Sequence, residues 1–200
     1  DLTTNTYIAS ELDRNTAHYW RVKPKNDCGD GDYSETYSFT TQGFEYCDSK
    51  FTETIGSEFI SNVTINTIDN NSGDDNTSDT PDGYEDFTDI NTSLAIGVNY
   101  PISVTLDPVG FNDHCYVFID WDGDLNFNTT TERYDLGSYS GSETTTDSFE
   151  IIVPEDATLG ETRMRVIIEY FSDTTTFGEG ACDTDHNSEF GETEDYTINI

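Results

Sequence analysis

Three aspartates, Asp120, Asp122 and Asp124, alternate around a single glycine in "FIDWDGDLNFN", residues 118–128. Carboxylates at i, i+2 and i+4 can turn their oxygens toward one point if the backbone curls, and Gly123 permits the curl. Asn126 and Asn128 continue the alternation, so the stretch imitates the first nine positions of an EF-hand loop. The twelfth position is Thr131 rather than Glu and no flanking helices are readable, so the loop is not an EF-hand. A calcium ion held here needs a further carboxylate from elsewhere. Two acidic clusters could supply it: Glu85, Asp86 and Asp89 in "YEDFTD", and Glu192, Glu194 and Asp195 in the terminal "GETEDY". Calcium is expected over magnesium, because a flexible all-protein oxygen cage suits the larger ion. A polar hairpin without metal is the alternative.

Catalytic patterns are weaker. The histidines, His18, His114 and His186, are scattered, and neither HExxH nor GxSxG occurs. Paired carboxylates can hydrolyse glycosides, but among 41 acidic residues a chance pair carries no weight. "GSYSGSE" at 137–143 contains serines without a readable triad, and His186 near Asp183 and Asp185 reads as a solvated loop histidine. No enzymatic activity is expected.

The elements that must position these residues are strands, because apolar and polar residues alternate and helical periodicity is nearly absent. Phe149, Ile151 and Val153 share a face, as do Tyr196, Ile198 and Ile200. Met164, Val166, Ile168 and Tyr170 share another, opposite Arg163, Arg165 and Glu169. "YPISVTL" reads in the same way, and "HCYVFIDW" is aromatic on both faces and so expected to be central. Many short strands between turn-rich loops point to an all-β, antiparallel β-sandwich of immunoglobulin or jelly-roll type.

Eight basic against 41 acidic residues give a net charge of −33, which repels phosphates and excludes nucleic acid and anionic membrane surfaces as partners. Divalent cations are natural partners, since they relieve carboxylate self-repulsion. No apolar run approaches the roughly 18 residues that span a membrane, so no membrane insertion is expected. The opening "DLTTNTYIAS" reads as a mature or excised fragment. Cys28, Cys47, Cys115 and Cys182 lack CxxC spacing, which argues against zinc. Their even number and long separations favour disulfides in an exported protein, with three full connectivities that spacing does not choose among.

Charge also divides the chain. Residues 1–43 hold four basic and seven acidic residues, and residues 44–200 hold four basic and 34 acidic, which places a domain boundary near Gly43. The first part, "LDRNTAHYWRVKPKNDCGDGDYSETYSFTT", resembles the second half of a fibronectin type III domain. His18 stands where that family usually has a corner tyrosine. The segment provides three of the family's strands, too few to close a sandwich, so the resemblance implies that adjacent domains or neighbouring subunits complete it.

Residues 44–200 resemble the GEVED domain, a module of secreted proteins of the Bacteroidota. The resemblance rests on "EYC" (45–47), "YEDFT" (84–88), "CYVFIDWDGDLNF" (115–127), "VPEDATLGETRMRV" (153–166) and "CDTDHNSEFGETEDYTINI" (182–200). The signature is present as Gly191-Glu192-Thr193-Glu194-Asp195-Tyr196, with Thr193 in place of the usual Val. The family looks like an all-β sandwich attached to proteases, other hydrolases or adhesins, with no established chemistry of its own. "DWDGD" matches a family loop whose aspartates look like calcium ligands, and Asp86 and Asp195 match its other recurrent acids. The resemblance thus implies a calcium site of Asp120, Asp122, Asp124, Asn126, Asp86 and Asp195. It also implies a Cys47–Cys182 disulfide, closing a loop of roughly 135 residues worth up to about 4–5 kcal/mol in the chain-entropy model. Cys115 is then either a buried thiol or the partner of Cys28.

The expected function is a non-catalytic, calcium-stabilised module of a larger extracellular or cell-surface protein, serving as spacer, adhesion or binding unit. One alternative is a filament subunit completed by strand complementation. The other is a carbohydrate-binding accessory module that presents exposed aromatics such as Tyr139, Tyr170 or Phe177 to glycans.

Overall fold

A computed structural model describes residues 7, 9, 12, 16–26, 29–41, 45–52, 58–73, 82–174 and 176–200. The chain divides into two compact units, Asp1–Tyr46 and Cys47–Ile200.

In the first unit, β1 (Ala17–Trp20) pairs antiparallel with β4 (Tyr37–Thr40), and β2 (Lys25–Asn26) with β3 (Gly29–Asp30). The aromatic side chains of β1 and β4 stack across the pair, Trp20 on Tyr37 at 4.9 Å and His18 on Phe39 at 5.6 Å. Tyr19, Trp20, Tyr37 and Phe39 all remain exposed.

The second unit contains β5 (Phe59–Ile65), β6 (Ile68–Asn70), β7 (Tyr84–Ser93), β8 (Asn99–Asp107), β9 (Asn112–Ile119), β10 (Arg133–Ser140), β11 (Thr144–Thr145), β12 (Phe149–Ile152), β13 (Glu161–Tyr170) and β14 (Gly191–Asn199). One sheet runs β10-β9-β13-β14-β7 and the other β11-β8-β5-β6, with β12 also paired to β8. The pairing is antiparallel except between β7 and β14, which are parallel, so the sandwich is not purely antiparallel.

The core lies between the sheets and follows the alternation of the sequence. Ile60, Val63, Ile65, Ile102, Val104 and Leu106 of one sheet meet Cys115, Val117, Ile119, Met164, Val166, Ile168, Tyr196 and Ile198 of the other. A second cluster, Phe51, Tyr116, Phe118, Ile167 and Ala181, covers the outer face of the β9-β13 pair. Strand β9 is therefore buried on both faces, as its two-sided aromatic pattern requires.

The polar face of β13 does not meet solvent: Arg165 and Glu169 are 1% and 2% exposed. The chain around Cys47 and Cys182 lies over it, joined by a Cys47–Cys182 disulfide with Cα atoms 5.5 Å apart. Cys115 is a free, buried thiol, which removes the alternative pairing with Cys28; Cys28 itself lies outside the described residues.

Candidate functional site

Asp120 follows the end of β9 and is completely buried. Its Oδ1 accepts the amides of Gly123 (2.8 Å) and Asp124 (3.2 Å), and its Oδ2 accepts that of Leu125 (3.1 Å). This carboxylate is the pin around which the loop curls. Gly123 has φ +72°, where a side chain is disfavoured, so the turn uses the freedom expected of it. The next two aspartates repeat a shorter version. Asp122 Oδ1 accepts the Asp124 amide at 3.1 Å and Asp124 Oδ1 the Asn126 amide at 2.8 Å.

The result is one carboxylate oxygen from each of Asp120, Asp122 and Asp124 within 4.8 Å of one another, the first buried and the other two exposed. Oxygens spaced in this way can surround one hard cation at 2.3–2.6 Å, the calcium–oxygen distance. Partial burial, with the charges of Asp124 and Asp120, raises the Asp122 carboxyl above its ordinary range against the lowering effect of the Asp124 amide. A cation would relieve that repulsion.

Glu132, which sequence reasoning passed over, is the other organiser of this loop. It is 3% exposed; Oε1 accepts the amides of Trp121 (2.8 Å) and Asp122 (3.3 Å), and Oε2 that of Asn128 (2.8 Å). Burial raises its pKa against these three amides. It sits one residue past the EF-hand's last ligand position, and checking that neighbour of Thr131 would have found it. Asn126 donates its side-chain amide to the Asp124 backbone oxygen at 3.3 Å, so it closes the turn.

Asp86 and Asp195 are not brought to these aspartates. Asp195 is fully buried on the outer face of the β14 strand. Its carboxylate receives Arg165 Nε and Nη2 (2.7 and 2.8 Å), Arg163 Nη1 (2.7 Å) and the Tyr84 hydroxyl (2.9 Å). Two guanidinium groups already neutralise it. Arg165 also donates Nη1 to the carbonyls of Cys47 (2.9 Å) and Ala181 (2.7 Å), and so binds the disulfide-tied cover to the sheet. Asp86 pairs in register with Asp195 but is exposed, accepting the Thr88 amide at 2.9 Å. Burial tends to raise its pKa, and the Thr88 hydroxyl and amide with the Arg163 charge outweigh this to lower it.

The other two candidate ligands of the terminal motif face the opposite way. Glu192 and Glu194 share the inward parity of Tyr196 and Ile198 and are fully buried. Glu192 accepts the Ile60 amide from the other sheet, and Glu194 accepts the Tyr196 hydroxyl at 2.6 Å. Glu85, beside Glu194 in the β7–β14 pair, is also buried. Asp113, at the start of β9, is buried with neither oxygen hydrogen-bonded. Burial, with the charges of Glu58 and Asp107, pushes its carboxyl up to about 8.

Two histidines depart from expectation. His186 is not a solvated loop residue: its ring stacks on Phe51 at 4.3 Å and its Nε2 lies 3.3 Å from Ser49 Oγ. His114 Nδ1 lies 2.7 Å from Ser138 Oγ and Nε2 2.9 Å from Asp135 Oδ1, a relay that the sequence motifs did not reveal. Burial lowers the His114 pKa, against the opposing charge of Asp135, and the ring stacks on Phe177 at 3.8 Å. The aromatics expected to be exposed are half-buried instead. Tyr139 donates its hydroxyl to the Leu136 carbonyl at 2.7 Å, and Tyr170 makes edge contacts with Phe111 and Phe190.

Among the described residues, no helix is long and apolar enough to cross a membrane. A comparison with curated proteins returned no match. The family model described as the GEVED domain matches residues 114–199, a stretch that includes the aspartate loop, Glu132, both inter-strand arginines, Cys182 and Asp195. Over residues 114–199, somewhat less than half of its length, the chain is similar to the GEVED domain family.

Proposed function

We propose that the chain is a non-catalytic, calcium-stabilised module of a larger extracellular protein, with a spacer, adhesion or binding role. The supporting observation is the convergence of the Asp120, Asp122 and Asp124 oxygens in a loop pinned by a buried carboxylate. The Cys47–Cys182 disulfide fits an oxidising location outside the cytoplasm. An ion that binds the folded loop more tightly than the unfolded chain stabilises the fold by mass action. Melting of the chain with calcium and with chelator tests this. The proposal expects a higher melting temperature in calcium and a smaller difference in Asp122→Ala; equal melting in both solutions would reject it.

The absence of catalysis is part of the same proposal, although Ser138, His114 and Asp135 form a hydrogen-bonded relay. Asp135 is more than half exposed, so it lacks the sequestered setting that gives a triad carboxylate its effect on histidine. The relay instead satisfies both nitrogens of a buried ring. An active-site-directed fluorophosphonate is expected to leave Ser138 unlabelled, and stoichiometric labelling abolished by His114→Ala would overturn this.

A second reading, strand complementation by a neighbouring subunit, is favoured by the exposed rings of the first unit. Tyr19 is 72% exposed and Tyr37 50% exposed on a two-stranded pair. Sedimentation over a wide concentration range tests it: self-association abolished by Tyr37→Ser supports it, and a monomer throughout rejects it.

A further inference from the structure

The Cys47–Ile200 unit has four basic side chains, and each is engaged outside the sandwich interior. Lys50 pairs with Asp82 at 3.3 Å, Arg133 with Glu179 at 3.4 Å, and Arg163 and Arg165 with Asp195 at 2.7 Å. The interior nonetheless contains carboxylates. Alternate residues of β9 point between the sheets, and Cys115, Val117 and Ile119 belong to the core there. Asp113 heads that row, 0% exposed, with no hydrogen bond to either oxygen. The charged groups acting on it are Glu58, 2% exposed and just before β5, and Asp107 at the end of β8, and β5 and β8 belong to the opposite sheet.

An ionised carboxylate in such surroundings is costly unless a positive charge accompanies it. Three acids stand at one end of the sandwich, Asp107 in register with Phe59 beside Glu58, and the unit's cationic side chains are committed elsewhere. We propose that Asp113 and Glu58 hold a divalent cation of the calcium type between the two sheets, with Asp107 at its rim. The Asp113 oxygens supply the ligands that have no other role in the fold. This site is separate from the aspartate loop: Asp113 and Asp120 stand at opposite ends of β9, about 20 Å apart at the usual strand rise. Its carboxylates do not already converge as those of the loop do, so the ion draws Glu58 and Asp113 together, with water completing the shell.

Calcium titration of the whole chain by calorimetry, with bound ions counted by native mass spectrometry, tests the proposal. The wild type is expected to bind two ions, Asp113→Asn one, and the Asp122→Ala/Asp124→Ala double variant one. A single ion lost in Asp113→Asn and kept in the double variant would support the interior site while overturning the loop. Unchanged stoichiometry in Asp113→Asn, or loss of all binding in the double variant, would overturn the interior site.

Discussion

Replacing Asp113 by Asn should change how stability depends on pH, in a direction the structure determines. In the unfolded chain an aspartate titrates near 3.8, whereas the folded chain raises Asp113 to about 8 through burial and the charges of Glu58 and Asp107. Because the folded-state value is the higher one, the folded chain binds more protons between these limits, and stability falls as pH rises through that window. The slope is about 1.4 kcal/mol per pH unit, so the full interval is worth on the order of 5 kcal/mol. Asn resembles the protonated acid in shape and does not ionise. The two proteins should therefore melt at similar temperatures near pH 4. By pH 9 the variant should be more stable by a few kcal/mol, roughly 10 °C for a domain of this size. Thermal melts in chelator between pH 4 and 9, with near-ultraviolet circular dichroism as the probe, measure the divergence. Parallel curves would refute the reasoning, since they would mean that Asp113 titrates normally in the folded state.

Arg165→Ala should cost about 3–5 kcal/mol, because Asp195 is left buried beside a single guanidinium. Arg165→Lys should recover little of this, since one ammonium cannot reproduce the fork that spans Asp195 and two carbonyls; denaturant titration of both variants checks the order. Reducing the Cys47–Cys182 bond, or replacing both cysteines by serine, should lower stability by up to about 4–5 kcal/mol in the chain-entropy model. The accompanying signal is faster hydrogen exchange at the amides of Gly178, Asn187 and Ser188, which Glu169 holds beneath the cover.

Alternation along the chain reveals which residues share a face, and much of the fold follows from that. It made β9 central and set Met164, Val166 and Ile168 into the core. It could not say what lies over the other face of β13. Arg165 and Glu169 on that face lie beneath distant segments tied by a disulfide. The same parity carried more about the terminal motif than was drawn from it. If Tyr196 and Ile198 face inward, so do Glu192 and Glu194, while Asp195 faces the arginines of β13 on the other side. Within the aspartate loop, the carboxylate spacing was legible because the ligands are local. Glu132 was missed because an EF-hand template placed the decisive position one residue earlier. The His114–Ser138 contact depends on the register of β9 and β10, which includes a bulge between Asp135 and Gly137 that composition does not encode.

Terbium provides the most direct measurement of the loop. Its ionic radius and oxygen preference resemble those of calcium, and Trp121 lies within the loop next to Asp120 and Asp122. Excitation of the indole should give sensitised terbium emission that calcium displaces. Trp121→Phe and Asp120→Asn/Asp124→Asn should each abolish that emission, the first with binding intact and the second without it. No sensitised emission from the wild type, or full emission from Asp120→Asn/Asp124→Asn, would contradict a cation in the Asp120–Asp124 loop.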